Sequence, residues 1–328
     1  MTMDEKPTEE NPSWFKKIRK EHKDGRILTY FPIPVWILRT MNTGFLDRFR
    51  RFARLAEKAL PVIAAIGVAM LFFQVWLAGT GLMGVIHNPP PAQLAAPQNI
   101  LLIPGLNQFV PLTFGVLFAL LLAMVVHEFA HGVFARLYNV KVKAAGFFIA
   151  IIFPIGAFVD LDEEQLKNEN WMKRVAVAGV GPYANIICGL LVFLGLLVLI
   201  GFNFPQFGLL GFLILLVIPI DQIMGHRFGV LDHLAFAYPG MGLHMYFIQF
   251  LFWFGWISLM LGLSNLIPVS PLDGGYILRA VLDRVMAAKS MKRFEKYHIT
   301  PTKIAAAIML SILAIYVAMY AWIALAGA

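Results

Sequence analysis

Apolar runs separated by short polar, basic or proline-rich stretches organise this chain. The runs at 59–86, 111–138, 175–201, 243–267 and 304–325 each reach the roughly 20 residues that a helix needs to cross a hydrocarbon core. They predict five membrane-crossing helices. A shorter run at 207–220, about 14 residues long and followed by Asp221, either crosses or re-enters. The stretch GFFIAIIFPIGAFVDLD, which opens at Gly146, is apolar but interrupted at Pro154 and Gly156 and rich in β-branched residues. That pattern predicts a hairpin or re-entrant loop over 144–160 rather than another crossing helix.

The first 58 residues follow a different pattern. Residues 1–26 are charged and predict a flexible terminus. The next segment, ILTYFPIPVWIL at 27–38, is too short to span and is broken by Pro32 and Pro34, so it predicts an interfacial, membrane-skimming segment. Phe45, Phe49, Phe52 and Ala56 then recur at helical spacing among Arg48, Arg50, Arg51 and Arg54. This is the pattern of a basic amphipathic helix on anionic headgroups, or equally of a solvated lead-in to the first span. The division expected is a cytoplasmic basic N-terminal segment at 1–58 and a membrane-embedded domain at 59–328, with its core at 111–285.

Composition narrows the class. The chain is 59% hydrophobic and only 14% charged, against about 25% charged in globular domains. The expected fold class is an all-α polytopic membrane protein with about five to six transmembrane helices and a small re-entrant β-like hairpin near the active site. A net charge of +8 would suit a nucleic-acid binder, but the positive residues flank membrane segments instead of forming one soluble basic surface, and no nucleic-acid partner is expected. Of the 27 Lys and Arg, 13 precede the first span, 6 lie between the second and third, and 7 lie between Arg279 and Lys303, while the intervening loops hold 0 and 1. The positive-inside rule therefore predicts a multi-pass protein of the cell membrane with its amino terminus cytoplasmic and its carboxyl terminus outside. The single cysteine, Cys188, lies in an apolar run and reads as a small core residue. No small-residue cleavage pattern of a signal peptide is found in the first 58 residues.

The second run carries His127, Glu128 and His131 near one end. Each such side chain costs roughly 2.5 to 3.5 kcal/mol at the centre of a spanning helix, so three within five positions need compensation. His-Glu-x-x-His supplies it: residues i and i+4 share a helix face and can hold one metal ion, with Glu128 beside them to work on a metal-bound water. A catalytic zinc usually takes a third protein ligand, best sought in SPLDGG, where Asp273 follows an apolar span. Topology brings Asp273 to about the depth of His131. Asn185 places an amide inside the third span among small residues that permit close helix packing. His226, His233 and His244 lack ligand spacing and read as ordinary loop histidines.

HEFAHG at 127–132 and NLIPVSPLDGG at 265–275 resemble the paired signature motifs of the site-2 protease family of intramembrane zinc metalloproteases. GVGPYAN at 179–185 resembles the small-residue span between them, with Val180 and Gly181 as extra residues, and FPIGAFVDLD at 153–162 is also similar. The resemblance implies one Zn2+ per chain held by His127, His131 and Asp273, with Glu128 as general base. Asn265, and less directly Asn185, are implied for the substrate backbone or tetrahedral oxygen. The implied partners are transmembrane segments of membrane-protein substrates and the lipid bilayer, with oligomeric state left open. A substrate would have to be extended and could pair with 144–160 as an added strand. The interval of about 40 residues before the LDGG span is too short for the PDZ domain that many members carry. The main rival from another class is a proton or metal-ion transporter using a His/Asp relay, whose paired broken helices or related halves are not found here.

Overall fold

The computed structural model describes residues 20–21, 27–30, 35–87, 104–106, 110–150, 153–203, 242–287 and 301–326. The 207–220 run, His226 and His233 lie outside these residues. Strands β1 (Lys20–Glu21), β2 (Ile27–Tyr30) and β3 (Val35–Thr40) lead through a 3-10 helix, Gly44–Phe52, into helix α1, Ala53–His87. Then follow α2 (Phe114–Leu137), β4 (Val142–Ala150), β5 (Phe153–Leu161), the short α3 (Glu163–Asn168) and α4 (Trp171–Asn203). Helices α5 (Gly242–Asn265), α6 (Asp273–Met286) and α7 (Pro301–Ala326) complete the order, with His244 in the first turn of α5.

Among the described residues, four helical stretches are long and apolar enough to cross a membrane: Gly44–Gly81, Phe114–Leu137, Trp171–Leu196 and Phe247–Asn265. They overlap the first four expected spans, the first beginning earlier at Gly44, and α7 overlaps the 304–325 run. Their outward faces stay apolar, with Phe72, Phe118, Leu191 and Phe247 exposed; a contiguous greasy exterior of this kind is suited to lipid.

Helices α2, α4 and α5 pack around one core, where Val116, Ala119 and Ala123 of α2 meet Phe193 and Leu196 of α4 and Phe252, Trp256 and Ile257 of α5. The small side chains on α2 let the bulky ones interdigitate. A second cluster joins α1, α4 and α6 through Ala64, Leu71, Val175, Ala178, Leu266, Ile277 and Ala280. Gln74 of α1, buried, donates from Nε2 to the Leu263 carbonyl at 2.7 Å and so holds the last turn of α5. Thr113 caps α2 by accepting from the Val116 amide at 3.3 Å. Past the other end of α2, Asn139 adopts φ 61°, a left-handed conformation that asparagine tolerates better than most residues, and turns the chain into β4.

The expected hairpin is present as β4 and β5, paired antiparallel with Ala145 opposite Val159 and Gly146 opposite Phe158. It belongs to a larger sheet, because among the described residues five antiparallel strands run in the order β1-β2-β3-β4-β5. The 27–38 stretch, expected to skim the membrane, instead supplies β2 and most of β3, with Val35 to Thr40 laddered onto Ala150 to Ala145. What lies on either side of Pro32 and Pro34 is strand, and β3 is satisfied by a partner more than 100 residues later. Arg39 fastens this addition by an ion pair to Asp160 of β5 at 3.1 Å, reaching across β4. The amphipathic Phe45–Ala56 stretch begins as the 3-10 helix and runs on into α1, and its Phe49 packs edge-on to Phe129 of α2, centroids 5.5 Å apart.

Candidate active site

Four elements deliver the polar residues to one place. His127, Glu128 and His131 project from the second half of α2, Asp273 opens α6, β5 passes beside Glu128, and α4 backs the histidines. His127 Nε2 lies 3.0 Å from Asp273 Oδ2, His131 Nε2 lies 3.4 Å from the same oxygen, and the two Nε2 atoms are 3.1 Å apart. Both imidazoles are buried. Donors placed about 2.0 to 2.1 Å from a tetrahedral zinc would stand about 3.3 Å from one another. The three separations match that figure, and two imidazoles with one carboxylate leave one position of a four-coordinate site open. On this geometry the trio fits a metal ion.

Asp273 reaches the site because the turn before it is tight. Leu272 N donates to Val269 O at 2.9 Å and Gly275 N to Leu272 O at 3.0 Å. A Cβ on Gly274 would strike the Leu266 carbonyl, so this backbone approach is open only to glycine. Arg174 of α4 then pins α6 through Asp283 at 2.6 Å. Burial pushes the Asp273 carboxyl up, but the two histidines outweigh it and hold the group down at about 2, ionised as a metal ligand must be.

Glu128 does not join the trio. Its Oε2 accepts the Val159 backbone N–H at 2.9 Å, tying the carboxylate to β5. A cavity of about 480 Å³ opens onto His127, Glu128, His131 and Asp273 and continues past Val159, Asp160, Asn265 and Arg279. Asn265 therefore faces the cavity, with one amide N–H donated to its own helix at Leu261 O, 3.0 Å. Asn185 does not line it. That residue is 0% exposed and its amide lies 3.3 Å from His127 Nδ1. The Val159 amide and the Val177 carbonyl, which accepts from His131 Nδ1 at 2.7 Å, are partners that no sequence motif announces, since any residue carries both groups.

A helical membrane bundle with an inward-facing His-Glu-x-x-His, a distant carboxylate and a cavity beside them has the makings of a membrane metallopeptidase. A family model described as peptidase family M50 matches residues 115–312, more than half of the chain, so the chain belongs to peptidase family M50, the site-2 protease family. It is a multi-pass membrane protein. An uncharacterised protein of Methanocaldococcus jannaschii is 31% identical over 159 residues, covering 48% of this chain and 40% of that protein. A Synechocystis protein whose name provisionally marks it a zinc metalloprotease is 28% identical over 187 residues, 56% of this chain and 36% of that one. The chain thus matches well under half the length of these relatives. No solved structure matches it.

Proposed function

We propose that this protein is a zinc-dependent endopeptidase that hydrolyses a peptide bond within a membrane-spanning segment of other membrane proteins. One arrangement carries the reading: the metal-fitting trio and Glu128 share a cavity, and an outer sheet strand runs along it. His127, His131 and Asp273 would hold one zinc ion. When bound, zinc supplies Lewis acidity, polarising a carbonyl and lowering the pKa of water from about 15.7 toward 7. Glu128 acts as general base, taking the proton of the attacking water and passing it to the leaving amide nitrogen. The Val159 amide keeps Glu128 aimed while the proton moves. Asn265 has a second N–H for the tetrahedral oxygen.

A helical substrate hides its carbonyls, so the bound segment must be extended. Strand β5 suits this. The Val159 N–H points away from β4 toward Glu128, and antiparallel alternation gives Ala157 the same outward aspect. A substrate strand adding here would be registered by main-chain hydrogen bonds next to the general base. The charge bias supports a cytoplasmic placement for this end of α2, with release of the cytoplasmic part of the substrate.

The test is cleavage of a single-span substrate by the purified full chain in proteoliposomes. Glu128→Gln is expected to cut at least 100-fold more slowly while keeping its zinc; cutting at the wild-type rate would remove the mechanism. The transport reading leaves the Glu128–Val159 bond and the outer strand unexplained, and zinc or proton flux without proteolysis in the same vesicles would favour it.

A further inference from the structure

Helix α4 meets the two histidines along one stripe. Val177, Gly181 and Asn185 recur every four residues, so they lie on one face. The Val177 carbonyl accepts from His131 Nδ1 at 2.7 Å, which places that ring's proton on Nδ1 and leaves Nε2 to face Asp273. Gly181 sits against both rings. A Cβ there would come within 2.8 Å of His127 Nε2 and closer still to His131 Nε2. Asn185 sits one turn further along, against His127, with its amide 3.3 Å from Nδ1.

The Asn185 side chain is oriented with Nδ2 toward His127, and its buried Oδ1 has no hydrogen-bond partner among the described residues. That orientation conflicts with the geometry of the trio. His127 Nε2 is the atom beside Asp273 and His131; if it gives its lone pair to a metal, the ring proton must be on Nδ1, and Nδ1 then needs an acceptor. The oxygen and nitrogen of a side-chain amide are told apart by their hydrogen-bond network. Since Oδ1 finds no donor as it stands, nothing on that side opposes turning the amide.

We propose that Asn185 Oδ1 accepts the Nδ1–H of His127 and thereby fixes the ring's tautomer and angle for metal binding, as the Val177 carbonyl does for His131. Asn185 is then a positioning residue acting through His127, and the stripe on α4 is the template that sets both imidazoles. The inference rests on the zinc reading above and gives Asn185 a role distinct from substrate contact, consistent with its absence from the cavity wall. Partners of this kind typically change metal affinity 10- to 100-fold when removed.

Zinc dissociation constants of the full chain in detergent, by chelator competition, test it, together with the visible absorption of the cobalt-substituted protein. Asn185→Leu is expected to weaken zinc 10- to 100-fold and alter the cobalt spectrum. Asn185→Asp, which can only accept, should bind zinc at least as tightly as wild type with a wild-type spectrum. A helix-packing role predicts neither the split nor the spectral change. Zinc affinity of Asn185→Leu within twofold of wild type would overturn the proposal, as would Asn185→Asp binding as weakly as Asn185→Leu. If Asn185→Leu does not fold, Asn185→Ala takes its place in the comparison. Wild-type zinc that is lost in Asp273→Ala keeps the zinc reading standing even where the Asn185 proposal fails; wild type binding no zinc removes both.

Discussion

At the scale of residues, the site depends on backbone atoms and missing atoms as much as on its ionisable side chains. Glycine at 181 leaves room for two imidazoles that any Cβ would press on. Overpacking typically costs about 1 to 3 kcal/mol. Gly181→Ala is therefore expected to weaken zinc about tenfold to a hundredfold, read by chelator competition, while the helical signal of the protein in circular dichroism is unchanged. Unaltered zinc affinity would mean that the rings have slack the distances do not suggest. The convergence of His127, His131 and Asp273, the trio proposed to hold a metal, could be anticipated from the sequence because ionisable groups in an apolar helix demand a reason, and Asp273 was the carboxylate at matching depth. Val159 N–H and Val177 C=O were not legible, since backbone groups leave no mark on composition. The stripe at 177, 181 and 185 was visible only as a small-residue packing face; its four-residue period, set beside that of His127 and His131, was the available signal.

At the scale of elements, the hairpin was legible from its β-branched content and from the break at Pro154 and Gly156, because a lone apolar run of that length and composition suits strand better than span. The rest of the sheet was not. Residues 27–30 and 35–40 pair with one another and with β4, and long-range pairing of this sort is invisible to any local window. Short, proline-interrupted apolar segments look alike whether they end in a headgroup layer or on a sheet edge. Strand β5 yields a prediction of its own. Proline at an outward-facing position costs a strand no ladder bond, so Ala157→Pro should leave fold and zinc intact while removing one hydrogen bond offered to an added strand. At about 1 kcal/mol for that bond, kcat/KM for a peptide substrate should fall about fivefold. A wild-type kcat/KM would argue that substrate does not lie along β5.

At the scale of the whole molecule, the charge distribution proposes a side of the membrane for the site. Lys141 and Lys143 open the β4 side of the hairpin, and Arg136 closes α2, pinned to Thr43 Oγ1 at 2.7 Å. With these on the cytoplasmic side, as the charge bias proposes, His87 at the far end of α1 would lie outside. In a Cys188→Ala background, a membrane-impermeant maleimide added to intact cells should label His87→Cys and spare Lys141→Cys; the reverse pattern would invert the topology. The four apolar helices found among the described residues were readable because hydropathy over about 20 residues is a strong signal, whereas the packing of α6 against α4, held by Arg174 and Asp283, joins residues more than 100 positions apart and leaves no local mark.

The strands ahead of α1 have one further effect. By covering β4, they leave the sheet with outer strands at β5 and at β1, and β1 is only Lys20–Glu21, two charged residues with almost no length to template a partner. Among the described residues, β5 is therefore the long outer strand, and on the proposed reading an incoming chain would pair there, facing Glu128. Without residues 20–40, β4 would present a second berth of nearly equal length on the side remote from Glu128, where, on the proposed mechanism, a captured chain would be held and never cut. On the proposed reading the leading strands act as a blank, turning a two-sided adhesive surface into a one-sided one, so that capture and cleavage would share the same place.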